Sequence, residues 1–257
     1  DGLGVAFAFA IAASLIAAIA SLLQSSHRHL KWRALDPLER ALMVLCGVAI
    51  TGFTITVVCD VVTRSTFLIS GFMCRYMDGA DGHRQLVSIQ TPGDFVDLHG
   101  YPLQRLDHDI ATLSECTVAY APHDKLTQII ERLPHLGRVL WFSTLLDAAM
   151  HREWIFRLGR LDAVGRVAHM LCETYTRLDA VGLVEDNSFA WPLTQQDLGE
   201  ACGLTSVHVN RTLRVLREAA MVEVSDRIVT MMDFDRLAST GEFQPDYLYF
   251  DNHTRTP

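Results

Sequence analysis

The residues best suited to chemistry on another molecule's surface lie between Leu193 and Glu218. Thr194 stands three residues before Asp197, the spacing of a helix N-cap and the acidic residue that completes it. Leu198 and Ala201 then face inward, Gly203 permits a tight turn, and Thr205 caps a second helix whose inner face is Val209, Leu213 and Leu216. Ser206, His208, Asn210 and Arg211, with Arg214 and Arg217, are left on the outside or flanks. Small polar groups at an exposed helix start reach base edges in a major groove, while Arg and Thr side chains and helix-end amides hold phosphates. An ordinary helix pair with a solvated basic face has the same pattern, and this stretch alone leaves both readings open. Beyond it, Met221 to Val224 and Ile228 to Met231 flank Ser225-Asp226-Arg227, a hairpin placed as a wing would be to touch a DNA backbone.

A second group of chemistry-bearing residues is Asp94, Asp97, His99, Asp107, His108 and Asp109. Carboxylates and imidazoles are the usual metal ligands, so a metal-dependent jelly-roll enzyme using Asp97, His99 and His108 is the rival reading. In a strand, however, Asp107 and Asp109 point to one face and His108 to the other, so the tripeptide cannot chelate as a unit. Asp97 and His99 could share a face, but no HxH pair with a downstream Glu accompanies them. GxSxG, HExxH, phosphate-loop and GxGxxG spacings are absent from the sequence. The expectation is therefore a chain that is not an enzyme, with no catalytic residue, no metal and no cofactor. The six cysteines, at 46, 59, 74, 116, 172 and 202, include no CxxC pair. That argues against a zinc site or a disulfide-stapled module and for a reducing compartment, with Cys74, Cys116 and Cys172 as plain buried thiols.

The elements that must position these residues follow from composition and pattern. At 257 residues, 49% apolar and 20% charged, the chain is globular and holds one large domain or two ordinary ones. Its net charge of −8 means that any DNA contact must come from a local cluster. Phe67 to Tyr76 reads as one strand, Asp78-Gly79 and Asp81-Gly82 as turns, and Arg84 to Ile89 as the returning strand. Thr91-Pro92-Gly93-Asp94 is a further turn, and Ile110 to Ala121 alternates again, which suggests a small jelly-roll-like β-roll. From Leu136 to Leu161 apolar residues recur at three and four, predicting a helix over about 135–158. That helix is longer than one small roll can cover, so part of its apolar face is expected to meet a second subunit. Gly159 and Gly165 mark a hinge before the next helix, Asp162 to Leu178.

The first quarter has a different character. Leu3 to Leu23 is an uncharged run of membrane-spanning length followed by a basic flank, and Ala41 to Cys59 is nearly as long. A membrane anchor, a helix packed on the protein, and sequence foreign to the mature chain all remain open for the first run. The second, rich in Val, Ile and Thr, suits buried strand as well as helix. The organisation expected is an atypical apolar segment over 1–62, a β-roll sensor over 63–133, a dimerisation helix over 134–160 and a winged helix-turn-helix over 161–257. The fold class is α+β.

At Leu193 to Glu218, and again at Ser70 to Tyr76, Pro92 to His99 and Arg152 to Ile155, the chain resembles the Crp/Fnr family of bacterial transcription regulators. The resemblance runs from about Thr63 to Leu248. It implies a cyclic-nucleotide-binding-type β-roll, a dimerisation helix and a C-terminal winged helix-turn-helix. By the same resemblance, the base-reading positions fall on Ser206, Val207, Asn210 and Arg211, with Arg211 making a bidentate contact to guanine. The full DNA-binding set expected is Thr194, Gln195, Thr205, Ser206, Val207, His208, Asn210, Arg211 and Arg214. The implied partners are a palindromic promoter site in double-stranded DNA, a second copy of the chain and RNA polymerase, in the cytoplasm. Nucleotide-binding members carry a Glu and an Arg-Ser clamp where this chain has Leu98 and Leu106-Asp107, so the effector is unknown and is not expected to be a cyclic nucleotide. The clustered cysteines of oxygen-sensing members are absent.

Overall fold

In the computed structural model the residues described are 62–250 together with strand β1 (Gly47–Thr51). The run at 3–23, Cys46 and Cys59 therefore lie outside the described residues. Part of the second apolar stretch is strand, since β1 pairs antiparallel with β6 (Thr117–Pro122), Ile50 opposite Val118. Among the described residues no helix is long and apolar enough to cross a membrane.

The roll is built from two antiparallel sheets. One has the order β1-β6-β2, with β2 at Arg64–Ser70; the other has the order β4-β3-β5, with β3 at Met73–Asp78, β4 at Arg84–Gln90 and β5 at Asp109–Thr112. Two segments expected as single strands are each divided between these sheets. Phe67 to Tyr76 breaks at Gly71, whose φ is +90° and whose place a Cβ would contest with the Glu115 carbonyl oxygen 2.2 Å away. Ile110 to Ala121 breaks between Thr112 and Thr117. Sequence alternation continues across both breaks because each new strand is again half-buried, so periodicity cannot mark the corner.

Strand β3 is buried on both faces. Met73 joins a roll interior of Leu68, Val96, Leu106, Ile110, Cys116, Val118 and Tyr120, while Cys74 joins a second core that includes Leu86, Trp154, Leu171 and Leu198. That second core runs without interruption from the roll into the C-terminal helices. Short helix α1 (Gly100–Leu103) precedes β5, and α2 (His123–Arg132) follows β6. Helix α3 spans Pro134–Arg160, 27 residues or about 40 Å. Helix α4 (Ala163–Ala180) is capped by Asp162, which accepts from the Gly165 amide at 2.8 Å. Gly165 is thus no hinge: it lies within α4, with a Cβ position only 3.3 Å from the Thr240 carbonyl oxygen, and its role is close helix packing. Gly159 sits inside α3.

The C-terminal unit has β7 (Ser188–Ala190), α5 (Gln195–Cys202), α6 (Ser206–Glu218), β8 (Val222–Ser225), β9 (Ile228–Met231), α7 (Phe234–Thr240) and a 3-10 turn at Pro245–Leu248. Its sheet has the order β7-β9-β8. Cys74, Cys116, Cys172 and Cys202 are free and buried, and burial pushes the Cys74 and Cys172 thiols up to about 12, which leaves them protonated and inert.

A buried charged network joins these parts. Glu173 of α4 accepts from Trp154 Nε1 at 3.1 Å and from the Tyr247 hydroxyl at 2.7 Å. Arg177, one turn on, is paired with Glu173 at 3.5 Å, donates to the Ile89 carbonyl at 3.0 Å and bonds Asp94 of the Pro-Gly turn. Burial alone would raise the Glu173 carboxyl, but Arg177, Arg157 and the Tyr247 hydroxyl outweigh it and hold it below its ordinary value. Its contribution is therefore complete above the ordinary carboxylate range and is lost as pH falls through the lower, folded-state value. Replacing Arg177 by Met strands Glu173 without its main counter-charge and should lower the unfolding free energy by about 3–5 kcal/mol in a urea titration. A loss below about 1 kcal/mol would show that the pair is dispensable.

Candidate nucleic-acid interface

Helix α5 begins with reciprocal caps: Asp197 N–H donates to Thr194 Oγ1 at 3.1 Å, and Thr194 N–H donates to Asp197 Oδ2 at 2.9 Å. Gly203, at φ +63°, ends the helix. Thr205 then caps α6, accepting from the His208 amide at 3.3 Å. The inner face of α6 holds Val209 and Leu216, fully buried, with Leu213 half-buried. Thr212 is also buried there, a position not expected from the apolar spacing alone.

The outer face is open. Ser206, Val207, His208, Asn210, Arg211 and Arg214 are all exposed, Val207 to 79%. Val207, Asn210, Arg211 and Arg214 fall at i, i+3, i+4 and i+7 and make one stripe. Among the described residues Arg211 makes no ion pair or hydrogen bond, so its fork of donors is uncommitted. Arg214 is tethered to Glu218 at 3.9 Å, and the His208 ring to Thr205 Oγ1 at 3.1 Å. Thr194 and Gln195 are exposed at the start of α5. Beside the stripe, the β8–β9 hairpin turns through Asp226 and Arg227 at φ 51° and 61°, a two-residue turn of the primed kind, with both residues exposed.

The acidic and imidazole group sorts differently. Asp97 is buried and fully engaged: Thr66 donates to it through its amide and, at 3.0 Å, its hydroxyl, so it is not free to ligate. Asp94 clasps its own turn, accepting from the Thr91 amide at 2.7 Å. Asp107 and His108 do not lie in a strand. They sit in the bend before β5, which removes the alternation expected to separate them, and His108 Nδ1 is 2.9 Å from Asp107 Oδ1. Burial, aided by Arg75, pushes His99 down to about 4, and burial also lowers His108.

Residues that sequence reasoning did not single out hold the interface in place. Arg84 on β4 binds Glu200 Oε2 at 2.6 Å and Asp197 Oδ1 at 2.8 Å, and Gln85 donates to the Glu200 carbonyl. Burial would lower the Arg84 guanidinium, but the Glu200 and Asp197 carboxylates raise it above its ordinary value. From the other side, Arg157 of α3 donates to the Ala201 carbonyl at 3.1 Å and Arg166 of α4 to the Cys202 carbonyl at 3.2 Å, two cations on the negative end of α5.

Residues 165–240 match the Crp-like helix-turn-helix domain. The transcriptional activatory protein AadR of Rhodopseudomonas palustris is 30% identical over 185 residues, 70% of this chain and 76% of AadR. The chain belongs to the Crp/Fnr family. The transcriptional activator protein FnrL of Cereibacter sphaeroides, another relative, is 32% identical over 163 residues, 61% of this chain and 64% of FnrL. The chain thus spans just under two thirds of that regulator. The structure of FixK2 from Bradyrhizobium japonicum superposes with a TM-score of 0.67 at 21% identity, covering 75% of this chain and 96% of FixK2, a likeness of fold. The Crp/Fnr arrangement accounts for the roll, the long helix and the helix-turn-helix in the order found here.

In this member of the Crp/Fnr family the roll holds α5 through the Arg84 fork. Replacing Arg84 by Ala should speed hydrogen exchange in α5 roughly fivefold, the equivalent of about 1 kcal/mol for a partly exposed bidentate pair. The gap should shrink at high salt. Equal exchange in both proteins would mean that apolar packing alone seats the helix.

Proposed function

We propose that this chain is a homodimeric, sequence-specific DNA-binding transcription regulator acting in the cytoplasm, and that it is not an enzyme. The observation that carries the reading is the outer stripe of α6: small polar groups at a capped, exposed helix start, with an uncommitted Arg211 one turn on. Thr194, Gln195 and Thr205 hold phosphates at the two helix starts, and Ser206, Val207, Asn210 and Arg211 read base edges in the major groove. His208 and Arg214 flank them. RNA polymerase is the protein partner this role implies.

A dimer is supported by α3. Trp141, Leu145 and Ile155 are exposed, Trp141 to 66% and Ile155 to 72%, and with Ala148 and Arg152 they fall on one face at spacings of three and four. A second copy of α3 covers such a stripe as a coiled coil. Pairing then places two α6 helices at successive major grooves of a palindromic site, ~34 Å apart. An effector acting at the roll shifts the population of α3 arrangements and with it that spacing.

A cyclic nucleotide does not suit the cleft between the roll and α3. Its two arginines are committed to carboxylates: Arg75 to Asp147 at 2.6 Å and Arg177 to Asp94 and Glu173. The His99 imidazole beside them is neutral near pH 7. A phosphate would meet no unpaired cation among the described lining residues.

With Arg211 replaced by Ala, fluorescence anisotropy on a palindromic promoter duplex should show affinity lowered by roughly 5–150-fold, about 1–3 kcal/mol, with preference relaxed at one base pair. Unchanged affinity and preference would refute the assigned role. Replacing Leu145 by Arg should convert the dimer to monomer in sedimentation equilibrium and weaken duplex binding at least tenfold, while the thermal melt of the monomer stays close to that of the parent. A dimer that survives this change would move the interface elsewhere.

A further inference from the structure

Two side chains of the roll, Asp107 and His108, take no part in that reading, and a third, His99, enters it only as a neutral residue lining the cleft. His99 stands just before α1, and Asp107 and His108 stand in the bend leading to β5. The chain brings them together: the two imidazole rings lie 5.0 Å apart, and one ligand atom from each of the three residues falls within 4.8 Å of the others. His108 is 8% exposed, Asp107 91%. Asp107 takes up His108 Nδ1, but the Nε2 atoms of both His99 and His108 are buried with no hydrogen-bond partner among the described residues. The rings do not satisfy each other. Each orphaned ring nitrogen carries a desolvation cost that a bound cation would offset.

We propose that His99, Asp107 and His108 form a site for a divalent transition metal of the zinc class, with a further coordination position open to water. Two imidazoles and one carboxylate suit zinc and its neighbours, whereas magnesium and calcium require shells of oxygen. Tetrahedral ligands at ~2.1 Å stand roughly 3.4 Å apart, so the cluster must contract slightly. Asp107, almost fully exposed, is the ligand that moves, leaving His108 Nδ1 to reach a metal held on Nε2. The neighbouring guanidinium of Arg75 is neutralised by Asp147, so the site does not face an unpaired positive charge. Asp97 is excluded as a ligand because both its oxygens are taken by Thr66. Bound metal would clip the segment before α1 to the start of β5 and fix the loop between them.

The test uses the full chain. Zinc is titrated against a chromophoric chelator, and cobalt(II) is added as a spectroscopic substitute, for the parent protein, for D107N and for the double variant H99Q/H108Q. The parent should bind one equivalent more zinc than the double variant and should give visible cobalt bands that the double variant lacks. D107N, altered at an exposed position and therefore expected to fold, should bind this equivalent at least tenfold more weakly, and zinc should raise its melting temperature less than that of the parent. Equal zinc affinity in the parent and D107N, or no zinc equivalent and no cobalt bands in the parent, would overturn the proposal. Neither readout involves DNA, so its failure would leave the regulator reading untouched.

Discussion

The buried pair Glu173–Arg177 is the constraint on which the rest of the molecule hangs. Placing two charges in a core is costly, and the cost is met only when every remaining donor and acceptor finds a partner. Here the partners come from all three parts of the chain. The roll supplies Asp94 and the Ile89 carbonyl, α3 supplies the Trp154 indole, and the C-terminal unit supplies Tyr247. A slip of any one part past the others would leave a charge without its bonds. The apolar contacts around the pair provide most of the stability, since they bury far more area, but they tolerate sliding. The pair does not, and so it fixes register.

The candidate interface was legible where its signals were local. The Thr194–Asp197 box, the Gly203 turn, the Thr205 cap and the apolar spacing of α6 each lie within a few residues, and the chain folds there as those spacings require. What was not legible depends on distant partners. Arg84 meets Asp197 across 113 positions, and Arg177 meets Asp94 across 83. No local pattern marks either contact. Glu173 and Arg177 share a face of α4 with Arg166, His169 and Thr176, a spacing that reads as an ordinary solvated stripe, and only the packing of the roll and the C-terminal unit buries them.

In the roll, the errors share a physical origin. Alternation reports that a strand has an inside, not which sheet it belongs to, so the corners at Gly71 and at residues 113–116 vanish into apparently continuous strands. The same assumption of extended chain separated Asp107 from His108, and a bend of two residues brings the two side chains within hydrogen-bond reach. Strand β7 is three residues long, too short for a period of two to show itself.

Helix α5 is where the roll and the exposed stripe of α6 are mechanically joined. It is held on one side by Arg84 of the roll and at its C-terminal carbonyls by Arg157 of α3 and Arg166 of α4. Only Gly203, Leu204 and Thr205 separate it from α6, and the two helices share a core through Leu198, Ala201, Val209 and Leu216. A displacement of α3 that keeps the Arg157–Ala201 bond carries α5, and therefore α6, with it. One that breaks the bond leaves a buried guanidinium with still fewer partners, because Arg157 Nε and Nη1 already lack them among the described residues and the Trp154 ring, 4.2 Å below, offers only its face. The second route is the costlier of the two. Rigid coupling is then the lower-energy response to any event at the roll that moves α3, and in the proposed dimer the spacing of the two α6 helices would follow α3.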